Sequence, residues 1–421
     1  MTARPAVVVT GIGLVTPVGT GLAEVFDAVC YGRSGLRRPA EDHRVAGAVE
    51  VAGFAADIDA TTLLPRTEAR TVDRYVVMAM AAAADALADA DLKVGRDVDP
   101  YRTACLVSSV GGLSTLEDQV VSRTGKGRLG VSPYLLPGML PNMAAARIAI
   151  RYGIQGYSSS IATACAAGAQ SIGEAVRLLR SGEADAVVCG GSEAPLFGTL
   201  ADTFGNARTL ARGWADPHEA CRPFDRRRNG LVLSEGAGVF VLERAEHAAA
   251  RGASAYAQVL GWGATTDAHH PTTPRPDGSG AAQCIRLALA DAGVDATDVG
   301  YVNAHGTGTK LGDVAESLAI RSAFPSGSPP VSSIKALTGH LLGASGVVEA
   351  AVCIEALRRG VLPPTFNLDD PDPACEVNHV RSLQRPAALD AVLSNSFGFG
   401  GHNISLVFGH APAGRRSQGE T

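Results

Sequence analysis

The chain has 421 residues, 46% hydrophobic and 19% charged, which is the composition of an ordinary water-soluble globular protein with a large core. Its 37 Lys and Arg against 42 Asp and Glu leave a formal charge of −5, which argues against a general nucleic-acid binder, since those are usually basic. The 8 cysteines show no CxxC pair and no framework spacing, so neither structural zinc nor disulfides are indicated, as suits a reducing cytoplasm.

The apolar run after Arg4 is short, interrupted by Gly11 and Gly13, and lacks a cleavage region, so it reads as a first strand. The Ala-rich segment from Met78 to Ala90 carries Asp85 and Asp89, and no uninterrupted apolar run reaches the ~18 residues of a membrane span. Between Gly112 and Pro141, Gly125, Gly127, Gly130, Pro133 and Pro137 mark an insertion rather than a continuous core element. YSSSIATA, short and β-branched, then meets AAGAQSIGEAVRLLRSG, with helical spacing at Ile172, Val176 and Leu179, so Cys165 between them is expected at a strand-to-helix turn. A thiol at a helix N-terminus lies near unpaired N–H groups and the positive end of the dipole, which predicts a pKa below the free value of about 8.5. Taken alone, the cysteine reads equally as a small buried hydrophobe, the commoner fate of a free thiol.

Further along, residues Gly205 to Gly230 form a polar stretch and Ala264 to Gly280 another, whose His269/His270 pair lacks the carboxylate or cysteine spacing a metal would need. Arg66, Arg70, Arg74, Arg123, Lys126 and Arg128 are scattered cations that could meet an acidic partner, with solvated surface charge as the default reading. In YVNAHGTGTKLGD, Tyr301 and Val302 end a strand and His305 opens a turn of Gly306, Thr307, Gly308 and Thr309. A short strand then carries Lys335 toward His340, before a helix containing Glu349. One histidine would pass as a surface or core residue. Two, each between a strand and Gly-rich backbone, point to a site where main chain approaches a ligand and hydroxyls hold a polar arm.

Internal repetition organises these pieces. SSSIATACAAGAQSIGEAVRLLRSGEADAVV is echoed by SSIKALTGHLLGASGVVEAAVCIEALRRGVLPP, and VVVTGIGLVTPVG faintly by YAQVLGWGATTDA. The expected halves are residues 1–255 with Cys165 and 256–410 with His305 and His340, followed by a polar tail, 411–421. Strand–helix–strand alternation in each implies mixed α/β sheets with buried helices.

TACAAG around Cys165, NAHGTGT around His305, KALTGH from Lys335 to His340 and NSFGFGGHN from Asn395 to Asn403 resemble, in order and spacing, the β-ketoacyl-[acyl carrier protein] synthases. The likeness runs from Val7 to Gly409. It is closest to the elongating, synthase II-like type, and nearly as close to the ketosynthase subunits of type II polyketide systems. The resemblance implies a thiolase-like α/β fold of duplicated halves in five αβαβα layers, with the site where the halves meet. It implies decarboxylative Claisen condensation: an acyl chain carried on Cys165 joined to malonyl carrier protein. His305 and His340 would hold the thioester oxygen, the amides of Cys165 and Phe399 would form the oxyanion hole, and Lys335 with Glu349 would support the histidines. It further implies Phe397 flanking the site and Phe399 as a gate, Thr307, Thr309 and Thr272 on the pantetheine arm, and Val110 in the acyl pocket. No organic cofactor is implied, because phosphopantetheine arrives on the acyl carrier protein. A structural monovalent cation near Asn303, Glu349 and Asn395 is implied, as is a homodimer or a heterodimer with a chain-length-factor subunit, without membrane or nucleic acid.

Rival relatives differ at particular positions. A thiolase would place a second cysteine where Asn395, Ser396 and Phe397 stand, and an initiating synthase would place asparagine at His340. A non-condensing chain-length factor would lack the nucleophile, against which Cys165 argues. His402 in GFGGHN, Tyr157 after Gly156, and Ile334 before Lys335 depart from the usual fatty acid pattern and leave a polyketide or polyene pathway open.

Overall fold

The computed structural model describes residues 4–385 and 389–412, so residues 413–421 of the expected polar tail lie outside the described residues. Strand β1 (Val7–Thr16) is buried at every position. Helix α1 (Arg74–Asp89) starts on the Asp73 side chain, which accepts from the Tyr75 N–H. There follow β2 (Thr103–Ser108), α2 (Leu113–Lys126), α3 (Met143–Tyr152), β3 (Ser158–Ser159), α4 (Ala167–Arg180), β4 (Ala186–Glu193) and β5 (Gly236–Arg244). A second series contains β6 (Ala257–Thr266), α5 (Ser279–Ala292), β7 (Val299–Asn303), α6 (Lys310–Ala323), β8 (Pro330–Ser332), α7 (Ser345–Arg359), β9 (Ala391–Gly398) and β10 (His402–Gly409).

The strands form a 12-stranded sheet whose main path runs from the short strand Asn378–His379 through β8, β7, β9, β10, β6, β1, β5, β4 and β2 to β3. β1 and β6 pair antiparallel at its centre, Val7 against Val259 and Val9 against Ala257. Outward from that seam the two sides repeat two antiparallel pairings followed by two parallel ones, and the second side adds a third parallel pairing of β8 with Asn378–His379. One core joins α1 and α3 to the outer face of the first side, through Tyr75, Met78, Ile148, Val107 and Val239. Another joins α5 and α6 to the second, through Ile285, Ile320, Val302 and Leu393. The largest core lies between the sides, where α4 and α7 contribute Ile172, Val176, Val348 and Val352. These are the five layers αβαβα of the thiolase-like fold. Helix α7 is buried from Ser345 to Leu357, as a helix enclosed on all sides must be.

The echo between the sides is sharper in space than in sequence. Ala164 and Leu342 adopt left-handed backbone, φ 49° and 47°, immediately before the starts of α4 and α7. The position matching Cys165 is therefore Gly343, rather than the Lys335/His340 turn. Three other expectations change. Only Ser158 and Ser159 of YSSSIATA are strand. The 112–141 segment, expected as an insertion rather than a continuous core element, has no buried residue in α2, in keeping with that, but it is largely helical. The polar stretch Gly205 to Gly230 contains two fully buried arginines, Arg222 and Arg228.

Gly11 and Gly13, which break the apolar pattern of β1, are there because α1 lies directly against the strand. A Cβ on Gly13 would stand 1.9 Å from the Ala82 carbonyl oxygen. Gly13→Ala is expected to lower stability by about 1–3 kcal/mol through overpacking, read as a lower denaturant midpoint with an unchanged slope.

Candidate active site

Cys165 occupies a single turn, Ala164–Ala166, at the head of α4, and is 8% exposed. The backbone N–H groups of Phe399 and of Cys165 itself pull its thiol pKa down. Gly398 lets the β9 end come this close: a Cβ there would lie 2.5 Å from the Thr163 carbonyl oxygen and 3.1 Å from the Cys165 nitrogen. The expected low thiol pKa is not found. Burial pushes it up to about 12, outweighing the Lys335 charge and the two amides. A helix terminus lowers a thiol pKa only while water still helps carry the charge, and here protein replaces that water.

His305 follows β7, on a loop held by two carboxylates of α6. Glu316 accepts from the His305 and Gly306 amides at 2.8 and 2.7 Å. Asp313 accepts from Gly308 at 3.1 Å and from Phe224 at 2.8 Å. Burial lifts Glu316 to about 7 and Asp313 to about 6, against the pull of those amides and, for Asp313, of Arg228. Arg228 also donates to Asp372 at 2.7 Å and to the carbonyls of Thr309 and Lys310 at 3.3 and 3.0 Å. The reading of the sequence missed Asp313, Glu316 and Arg228. Its one available signal was KLGDVAES, where two carboxylates sit three apart just after the His305 turn.

Lys335 and Glu349, expected to support the histidines, are brought together behind them. They form a contact ion pair with both side chains at most 2% exposed. Lys335 Nζ also donates to the His305 carbonyl at 2.5 Å, and burial raises Glu349 to about 7 against the pull of Lys335. His340 is anchored through its backbone, donating to Val232 at 2.8 Å and accepting from Ser234 at 3.0 Å. The His305 and His340 rings meet edge to face, with centroids 5.2 Å apart. Burial and the Lys335 charge hold both imidazoles well below 6.5, with His340 adding to the effect on His305. Neutral imidazoles beside a charged lysine are hydrogen-bonding groups rather than cations.

Of the flanking residues, Phe397 lies 5.8 Å from the His305 ring, centroid to centroid. Phe399 is 41% exposed and stacks on Phe204 at 6.1 Å. The Thr307 and Thr309 hydroxyls are 3.0 Å apart. Thr272 is exposed, bonded through its amide to His270, in a loop joined to the Phe399 segment by the Gly400 N–H on the Pro271 carbonyl at 2.7 Å. Val110 is exposed and donates its N–H to Glu193 at 3.0 Å. Buried oxygens on Asn303, Glu349, Ser394 and Ser396 have no protein partner, and Asn303 aligns with Ser394 across β7 and β9. Asn395, expected beside them, is committed instead: its side chain donates to Glu316 at 3.4 Å and accepts from Ser405 at 2.8 Å. Among the described residues no cluster of three or more His, Cys, Asp or Glu could hold a metal ion.

Comparison with known proteins fits this architecture. Residues 4–248 match the β-ketoacyl synthase N-terminal domain model and residues 256–369 the C-terminal domain model. A 3-oxoacyl-[acyl-carrier-protein] synthase 2 from Synechocystis sp. is 42% identical over 412 residues, covering 96% of this chain and 98% of that protein. One of the same description from Vibrio harveyi is 40% identical over 405 residues, again 96% and 98%. The chain belongs to the β-ketoacyl synthase family. Among solved structures, the ishigamide ketosynthase/chain length factor superposes with TM-score 0.90 at 32% identity, covering 97% of this chain and all (100%) of that one. A ketosynthase solved with its type II polyketide acyl-carrier protein and bound to the hexaketide superposes with TM-score 0.89 at 29% identity, with the same coverage.

The unfolded state takes protons on both histidines below pH 6.5, and the folded state refuses them. At these two positions the unfolded chain then binds more protons, so their contribution to stability falls as pH drops below 6.5, opposite in sign to the contribution of the raised Glu316, Glu349 and Asp313 carboxyls. As pH is lowered across that range, the denaturant midpoint of a His305→Asn/His340→Asn double variant should therefore gain relative to that of the parent.

Proposed function

We propose that the chain joins an acyl thioester to malonyl-[acyl carrier protein] by decarboxylative Claisen condensation, giving β-ketoacyl-[acyl carrier protein]. The observation that carries this reading is the buried Cys165 at the head of α4, with the end of β9 packed against its backbone at Gly398, beside a site with two neutral imidazoles. In the first half-reaction the sulfur attacks the acyl thioester carbonyl. The tetrahedral oxyanion sits on the Cys165 and Phe399 amides, the carrier C–S bond breaks, and the carrier sulfur leaves with the proton of the cysteine thiol. Coupling attack to proton loss suits a thiol that the resting site keeps protonated. In the second half, the bond between the malonyl methylene and its carboxylate breaks and CO₂ leaves. The electron pair forms an enolate whose oxygen accepts hydrogen bonds from His305 and His340. The enolate carbon attacks the acyl-cysteine carbonyl, the new C–C bond forms, the C–S bond to Cys165 breaks, and the departing thiolate takes up a proton from water to restore the resting thiol.

Lys335 supports the catalytic pair by holding the His305 carbonyl and by keeping the imidazoles neutral. Thr307 and Thr309, with Thr272 at the exposed edge, would receive the pantetheine arm, Phe399 would gate entry, and Val110 would bound the acyl pocket. The unpartnered oxygens of Asn303, Glu349, Ser394 and Ser396 suit a monovalent cation with an all-oxygen shell, a structural role. The exposed apolar side chains of Val120, Val121, Leu129, Tyr134 and Leu136 fit coverage by a second ketosynthase-fold subunit, either another copy or a chain-length factor. The curated relatives favour fatty acid synthesis and the structural neighbours the polyketide branch. The non-condensing alternative, a chain-length-factor-like subunit, is disfavoured by the intact Cys165 with its amides. No helix among the described residues is long and apolar enough to cross a membrane, which accords with a cytoplasmic place of action.

Intact-protein mass spectrometry with acyl and then malonyl carrier protein, with and without candidate subunits, tests the reading. An adduct on Cys165 that passes into β-ketoacyl product supports it, and no adduct under either condition would shift the assignment to a non-condensing subunit. Cys165→Ala is expected to lower condensation by more than about 10³-fold, while Cys165→Gln keeps malonyl decarboxylation, followed by CO₂ release.

A further inference from the structure

We propose that Ser345 sets the tautomer of His340, placing its ring proton on Nε2, and is thereby a positioning residue for the condensation proposed above, on which the catalytic consequence rests. Ser345 is the first residue of α7 and is 1% exposed. Its Oγ accepts from the Leu341 N–H at 2.9 Å and lies 3.0 Å from His340 Nδ1.

Proton counting decides the direction of the second bond. A serine hydroxyl has one proton to donate and two lone pairs to accept with, and a neutral imidazole has one N–H and one bare nitrogen. Were the His340 proton on Nδ1, Ser345 would accept from both His340 and Leu341, and its own proton would be buried with no acceptor. Donation from Ser345 to a bare Nδ1 satisfies all three groups at once. The ring proton is then on Nε2, the nitrogen that must donate if His340 is to hold an enolate oxygen. His305 has no such orienting group, since its Nδ1 is buried without a partner. The two histidines are therefore unequal: His340 is a fixed donor, whereas among the described residues no side chain selects the tautomer of His305.

The test uses histidine-¹⁵N-labelled protein, with the His340 signals assigned by their loss in His340→Asn. In the parent, His340 should show an unprotonated Nδ1 and a protonated Nε2. Ser345→Ala should give a mixed or reversed pattern. It should also lower kcat for decarboxylation of malonyl carrier protein about tenfold or more, leaving KM and acyl transfer to Cys165 near parental values. Ser345→Thr, which keeps the hydroxyl, should restore tautomer and rate together. A parental Nδ1–H, or an alanine variant that keeps both the tautomer and kcat, overturns the proposal, even if that variant is less stable. If the parent shows the expected tautomer and its loss in Ser345→Ala but no decarboxylation, the condensing reading fails while the tautomer assignment stands.

Discussion

The site depends on how closely the starts of α4 and α7 can approach. At Gly168 a Cβ would stand 2.4 Å from the Gly343 carbonyl oxygen, and at Gly346 one would stand 2.8 Å from the Ala169 Cβ. Nothing larger than hydrogen fits at either place. This contact fixes the head of α4, which carries Cys165, against the head of α7, which follows His340 and begins with Ser345. Side chains from opposite ends of the chain thus share one small volume without any loop having to hold them there.

Electrostatics in that volume is governed by burial. Lys335, Glu349, Glu316, Asp313 and Arg228 are each at most 2% or 3% exposed, where charges are costly unless paired and hydrogen-bonded. Most of the bonds that satisfy them go to the backbone near His305: Glu316 to two amides, Asp313 to the Gly308 amide, Lys335 to the His305 carbonyl, Arg228 to the Thr309 and Lys310 carbonyls. These bonds offset the cost of burying the charges, and the loop they hold is fixed in place as a result. Burial keeps both histidines neutral, and the charge of Lys335, which touches no reacting atom, adds to the effect.

Cys165, His305, Lys335, His340 and Glu349 were legible in the sequence because each lies in a short string with its own local texture. The duplicated α/β plan was legible for a related reason, since strand and helix periods survive in both copies. Asp313, Glu316, Arg228 and Ser345 were not, because their roles are defined by what they touch, and Arg228 meets Asp372 only in the folded chain. The direction of the Cys165 thiol shift was misread. Local pattern reveals a helix terminus, but not how much protein covers it, and here the covering decides the sign. Thr272, which the resemblance implies on the pantetheine arm with Thr307 and Thr309, lies on an exposed loop tied to Gly400, and that tie could not be read from the sequence.

The match between Cys165 and Gly343 has an evolutionary consequence. At the second position Glu193 Oε1 stands where a side chain would go, 2.6 Å from a Cβ built on Gly343, and the same oxygen accepts the Val110 N–H at 3.0 Å. A cysteine could not arise at Gly343 by a single substitution without displacing a buried carboxyl that also holds the end of β2 in place. The two copies have therefore specialised past easy return. One keeps the nucleophile, the other keeps the histidines, and the asymmetry is secured by Glu193, which also helps hold the Cys165 thiol pKa up.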